Sequence, residues 1–419
     1  MQPPETRDNW QTFRFGDLVR NVKAKVDRDN NPFDRYVAGQ HMQTGDLRIR
    51  EWGEFGNDYV GPAFHRRFLK GQVLYGSRRT YLKKVALAEF DGVTANTTFV
   101  LESKSPNMLL PELLPFIMLT DRFTEHSVSE SKGSTNPYIN WRDIAKYEFS
   151  LPPLDEQRRI AEILWATEEA TECRIQAKES LSALVNALVR NFLCQGLPNK
   201  HSRLVKTRIG KMPADWECLR CEDIFSEPPR NGFSPGADSY GKGHPTLSIG
   251  AVRDGRVSPA GNLKYAQIDD EQLERYRLHP RDLLVVRGNG NRQLAARCGI
   301  VESVPENCFY PDLLIRIRFK SDRLIPEFAC LQWNASPAHA RLLRFAKSTN
   351  GIWKVNGKDL RAHSLAVPPI EEQKAFLRFV KQPLRQLSIL DTGIARMEEL
   401  KISLRENLLL ESANPGMGG

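Results

Sequence analysis

A disulfide framework, a membrane span and the common catalytic signatures are all missing from this chain of 419 residues. Its seven cysteines are odd in number and follow no framework spacing, which suits a reducing compartment and predicts a cytoplasmic protein. Cys218-Leu219-Arg220-Cys221 is a C-x-x-C pair, but zinc needs a second pair of ligands. Cys298 and Cys308 have the wrong spacing and no histidine partner, so the expectation is a buried pair on an apolar strand. The most apolar run, Met108 to Thr120, is interrupted by Pro111, Glu112 and Pro115 and is too short to cross a bilayer. Met1 to Asn9 is polar and carries Pro3-Pro4, unlike a signal peptide.

Chemistry is equally scarce. The eight histidines show no H-E-x-x-H or other ligand spacing. Gly351 to Asp359 approaches a phosphate loop, but it has five residues between its glycines where four belong. It also has Asp359 in place of a metal-binding Ser or Thr. Asn136-Pro137-Tyr138 has the outline of an amino-methyltransferase motif without its second proline, and no Gly-rich cofactor loop precedes it. Glu102-Ser103-Lys104 lacks the paired upstream acid of a nuclease. The sequence therefore assigns no catalytic residue, no cofactor and no metal.

What is present is a duplication. Leu151-Pro152-Pro153-Leu154-Asp155-Glu156-Gln157-Arg158 recurs as Val367-Pro368-Pro369-Ile370-Glu371-Glu372-Gln373-Lys374. The spacing that carries Gln157 to Gln373 also carries Asp143 to Asp359. Trp10 to Leu18 has a counterpart in Trp216 to Ile224, each read as an opening strand leading into a short helix. Ser134-Thr135-Asn136 is matched by Ser348-Thr349-Asn350. In the first half two strands around Val73 and Val85 enclose a basic loop, Ser77 to Lys83. In the second, strands around Leu284 and Gly299 enclose Arg287 to Gln293. The net charge of +9 admits a polyanionic partner without identifying one.

Each Pro-Pro motif opens a helix, since proline ends what precedes it and the acids behind it suit the positive end of a helix dipole. The first helix places Ile160, Ile163, Thr167, Ala170, Arg174, Ala177, Leu181, Leu184 and Leu188 at steps of three and four, with Arg174 as a misfit and Ile175 beside it suggesting a local slip in register. The second places Phe376, Val380, Leu387, Leu390, Ile394, Met397, Leu404 and Leu408 on such a seam, with Pro383 and Lys401 as misfits. Narrow stripes of this kind predict helices that pair with each other, each reaching roughly 55–60 Å. The expected fold class is α+β: two mixed α/β domains in pseudo-two-fold arrangement, separated by an antiparallel coiled coil of two long helices. The expected boundaries are 1–153 for the first domain, 154–197 for the first helix, 198–369 for the second domain and 370–412 for the second helix. Residues 198–213 would be a polar linker within the second domain, and 413–419 a disordered tail.

Taken together, these residues resemble the specificity subunit of Type I restriction-modification systems. The resemblance rests on both Pro-Pro-x-[Asp/Glu]-Glu-Gln motifs, the two tryptophan segments, Tyr36-Val37-Ala38-Gly39-Gln40-His41 and the run Arg78 to Val85. It implies two target recognition domains separated by conserved helices, with methylation subunits docking on those helices and restriction subunits joining the complex. Double-stranded DNA would be the ligand, read as a bipartite site, and no membrane is involved. Arg, Asn and Gln are the side chains that read base edges in the major groove. Expected recognition residues are therefore Arg78, Arg79, Tyr81 and Lys83 in the first half and Arg287, Asn289, Asn291, Arg292 and Gln293 in the second. Lys132 and Asn136, and Lys347, Asn350 and Lys354, form a second set suited to phosphates. Because the loops differ, the two half-sites should differ. The alternatives are an enzyme that itself cuts or methylates DNA, and a coiled-coil scaffold whose domains read none.

Overall fold

A computed structural model describes residues 9–27, 30–56, 60–238, 241–349 and 351–410; the tail at 413–419 lies outside them. The chain mixes helices with sheets and divides into two compact units, 1–175 with 392–419, and 176–391. Each long helix thus contributes residues to both.

In the first unit, Gln11–Arg14 pairs antiparallel with Glu148–Leu151 and runs into the short helix Phe15–Leu18. Four antiparallel strands follow in the spatial order Val19–Asn21, Thr98–Ser103, Val73–Gly76, Val85–Leu87. Their apolar face meets Phe15, Phe123 and Ile144, all buried. A second, mixed sheet orders Gly53–Glu54, Arg35–Val37, Gly92–Ala95 and Phe64–Phe68. Fully burying one such side chain contributes about 1.5–3 kcal/mol, so the core rather than strand propensity holds these short strands.

The second unit repeats the opening: Glu217–Arg220 pairs with Ser364–Val367 and leads into Cys221–Ile224. The C-x-x-C is accordingly not a pair on one strand, because Arg220 ends the strand and Cys221 starts the helix, where it is fully buried. A six-stranded sheet has Leu283–Val286 near its middle, between Leu314–Ile317 and Cys298–Ile300. Residues expected as a linker instead form a hairpin, Leu204–Thr207 with Gly210–Pro213. Met212 anchors it in the core, which a hairpin permits and an unpaired linker would not.

The duplicated Pro-Pro motif now has a physical reason. Gln157 accepts from the Leu110 N–H (2.9 Å) and donates to the carbonyls of Met108 and Pro152 (2.9 Å each). Gln373 accepts from the Ile325 N–H (2.8 Å) and donates to the carbonyls of Arg323 (2.9 Å) and Pro368 (2.8 Å). Both side chains are buried. One buried amide therefore satisfies three backbone groups, and it fixes where each long helix begins against the segment that precedes the next helix, Leu114–Leu119 or Pro326–Asn334.

Those helices span Leu154–Gln195 and Ile370–Leu409. In the first unit Glu168 and Arg174 of one meet Lys401 and Gly393 of the other. In the second, Lys178 meets Asp391 and the Phe192 ring stacks on Phe376 at 4.1 Å. Positions rise on one helix as they fall on the other, so in each unit the pair is antiparallel. The expected stripe on the second helix is the covered one, with Pro383 and Lys401 included and the helix unbroken through Pro383. On the first helix the seam lies one residue later than expected. It follows Ala161, Leu164, Glu168, Thr171 and Ile175, then Lys178, Ser182, Val185, Val189 and Phe192, while Arg174, Ala177 and Leu184 are exposed. The misreading has a cause. Charged Glu168 and Lys178 occupy seam positions because each is ion-paired there, to Lys401 (2.8 Å) and to Asp391 (2.7 Å).

Candidate nucleic-acid interface

In each half the two groups of candidate residues, far apart in sequence, fold into one small ribbon. In the first unit Tyr138 bridges antiparallel to Arg78 on one side and to Lys132 on the other. The Ile139 N–H donates to the Ser77 carbonyl (2.9 Å), and the Arg79 N–H to that of Pro137 (2.7 Å). In the second unit Lys354 pairs with Gly288 on one side and Lys347 on the other. Here the Val355 N–H donates to the Arg287 carbonyl (2.9 Å). The backbone frame is the same; the side chains it carries are not.

The first loop is shaped by two left-handed residues, Arg79 (φ 50°) and Lys83 (φ 46°), on either side of the single turn Thr80–Leu82. Such a backbone costs a non-glycine residue about 1–2 kcal/mol. Buried Thr80 anchors the turn, its hydroxyl donating to the Ser127 carbonyl (3.3 Å), and Tyr81 is left 53% exposed. Arg78, Arg79 and Asn136 are exposed, and among the described residues neither arginine has a carboxylate partner. Lys83 is committed to Asp121, and Lys132 to Asp143 (3.3 Å). Burial alone would raise the Asp143 pKa, but hydrogen bonds from Lys146, Lys132 and Asn140 hold the carboxyl below the usual range. Lys84 donates to the Gly39 carbonyl, joining the Tyr36–His41 segment to this loop. Its pKa is lowered by burial and by the neighbouring charge of Arg79.

In the second loop Arg292 lies over the Trp353 ring at 4.7 Å. Arg287 donates to the Asp312 carbonyl (3.1 Å), with the Asp312 carboxylate at 3.8 Å. Asn291 and Gln293 are exposed, Asn289 is half-buried, and Lys347 and Lys354 are exposed. Asn350 lies outside the described residues. Sequence reasoning missed Tyr138, 44% exposed at the centre of the first ribbon, and Trp353; the matched Ser-Thr-Asn segments just upstream were the available signal. The ribbons offer cations, amides and aromatic faces, suited to phosphates and base edges.

Among the described residues, spacing alone also hid a cluster of potential metal ligands, His201, Asp215 and Glu372. Its geometry is that of an ion-paired clamp. The His201 Nδ1 faces Asp215 and its Nε2 faces Glu372, both at 2.9 Å, and Lys200 reaches Glu372 at 3.1 Å. Both ring nitrogens are engaged on opposite carboxylates, and a lysine already neutralises one of them.

A family model for the Type I restriction modification DNA specificity domain matches residues 7–182. The chain is similar to specificity subunits of Type I restriction-modification systems. It is 30% identical over 293 residues to the specificity subunit of the Type I restriction enzyme EcoKI of Escherichia coli K12, a match covering 66% of this chain and 60% of that one. The match to the EcoDI specificity subunit of E. coli, at 28% identity, covers 54% and 47%. The chain thus spans about half the length of these curated relatives. The MjaVIII specificity subunit of Methanocaldococcus jannaschii is 20% identical across 96% of this chain and 92% of its own. The fold is that of the Type-I restriction-modification system S subunit from M. genitalium, with a TM-score of 0.55 at 12% identity over 98% of this chain and 99% of the other.

Proposed function

We propose that this chain is the DNA-binding specificity subunit of a Type I restriction-modification complex, each unit reading one part of a bipartite, asymmetric site. The observation that carries the reading is the pair of ribbons: equivalent backbone frames bearing exposed Arg78, Arg79 and Tyr81 in one unit and Arg292, Asn291 and Gln293 in the other. The chain itself performs no catalysis; methylation subunits dock on the long helices and restriction subunits join through them. Support for that docking is the apolar surface the helices leave exposed, Leu184, Phe379 and Ile389 in the second unit and Leu400 and Ile402 in the first. Among the described residues no helix is long and apolar enough to cross a membrane.

The test replaces Arg78, Arg79, Arg287 and Arg292 by alanine and measures duplex binding across a salt series. Sequence selectivity should vanish while assembly with the methylation subunit persists, and wild-type affinity should fall steeply with salt through counterion release. Unchanged affinity and selectivity would favour a scaffold, and turnover by the chain alone with cofactor and metal would favour an enzyme.

A further inference from the structure

The second ribbon restricts which bases it can read. The Asn289 side-chain oxygen accepts from the Asn291 N–H (2.8 Å), and the Asn291 oxygen accepts from the Gln293 N–H (2.9 Å). A backbone N–H can only donate, so the oxygen assignment is forced, and each amide turns its NH2 end away from its own loop. Asparagine reads adenine by accepting and donating at once; with one lone pair of each oxygen held by the loop backbone, the NH2 donor is the freer end of Asn289 and Asn291. Beside them Arg292 lies over the Trp353 ring at 4.7 Å and has no carboxylate partner among the described residues. Stacking holds a guanidinium by its face and leaves its edge, a fork of N–H donors, available for two parallel hydrogen bonds. The group in the loop best suited to two parallel bonds is therefore the Arg292 fork, and the base edge that offers two adjacent acceptors in the major groove is guanine, through N7 and O6.

Resting on the specificity reading above, we propose that Arg292 is a specificity-determining residue that pairs with a guanine in the half-site of the second unit, and that Asn289 and Asn291 donate to acceptors beside it.

The experiment selects duplexes from a randomised pool with the full-length wild-type chain and with Arg292→Ala and Arg292→Lys. The wild type should enrich a two-part motif with a guanine in one part. Both substitutions should relax that position by about ten-fold, leaving the other part unchanged, with lysine restoring overall affinity but not the choice of base. Replacing the selected guanine by 7-deazaguanine should weaken the wild type and leave Arg292→Ala indifferent. A two-part motif that keeps the same bases in Arg292→Ala, or whose loss is uniform across sequences and repaired by lysine, overturns the assignment and makes Arg292 a phosphate contact. No enrichment by the wild type overturns the specificity reading itself.

Discussion

Consider Lys401→Met. The Lys401 ammonium lies 2.8 Å from the Glu168 carboxylate, with side chains 10% and 8% exposed. The second partner of Lys401, Glu398 at 3.2 Å, is 47% exposed and adds little. Removing the cation strands a buried carboxylate near Glu398 and Asp46, whose charges already oppose its ionisation. Stripping one partner from a buried pair costs about 3–5 kcal/mol. The carboxyl can escape by taking a proton, which links the cost to pH. Burial is the main reason its pKa stands above 4.5, and Lys401 is what restrains the rise. A folded pKa above the unfolded one gives stability that is present below 4.5 and lost as pH rises through the folded value. Without Lys401 that loss deepens, so Lys401→Met should lie closer to wild type at acid than at neutral pH. Replacing both residues, Glu168→Leu with Lys401→Met, should recover to within about 1 kcal/mol of wild type or surpass it. Urea unfolding, with hydrogen exchange over residues 154–175 as the local readout, measures each variant. A double variant as unstable as the single one, or a single one indistinguishable from wild type at neutral pH, would refute the reasoning.

Other consequences concern the frame. Gln373→Leu leaves the Ile325 N–H and the carbonyls of Arg323 and Pro368 without their partner. At about 1–3 kcal/mol for each orphaned group, the unfolding free energy from urea titration should fall by about 3 kcal/mol or more, with Gln157→Leu doing the same in the first unit. Buried His363 is held neutral, its pKa pushed down to about 3 by burial and by Arg341. Its contribution is therefore present above the unfolded value of 6.5 and lost as pH falls toward 3, at about 1.4 kcal/mol per unit. His363→Phe should flatten the acid side of the stability profile, and an unchanged slope would contradict this. Pro383→Ala supplies the missing helical N–H and should stabilise by about 1–3 kcal/mol; a lower midpoint would mean that the ring's packing matters more.

The repeated Gln, the tryptophan segments and the helix starts were legible because each repeats a local chemical demand, and repetition exposes a demand even when its partner is unknown. The first helix seam was not. Apolar identity marks a stripe only where apolar residues fill it, and Glu168 and Lys178 reverse that signal by pairing across the helices. The candidate residues were legible as types, not as commitments. Nothing in the sequence tells that Lys83 and Lys132 are spent on Asp121 and Asp143, since those partners lie on separate elements. Nor does it show that the loop after Ser77 meets the segment around Tyr138, a long-range pairing with no local trace.

The contrast between a shared frame and unlike loops yields the strongest prediction for asymmetry. Side chains on a ribbon can change without disturbing the backbone bonds that hold it, which is why reading residues sit on loops carried by rigid elements. The bond from Ile139 to Ser77 in one unit is the bond from Val355 to Arg287 in the other, so these positions mark equivalent anchor points. Placing residues 287–297 in place of 77–84, together with 347–354 in place of 132–138, transplants one ribbon onto the other frame. If each ribbon reads its own half-site, the chimera should select a site whose two parts are alike, with the native second part retained. Selecting the original first part would show that specificity is set by residues outside the ribbons; losing only the first part, with no new one gained, would show that the frame and the loops are not separable.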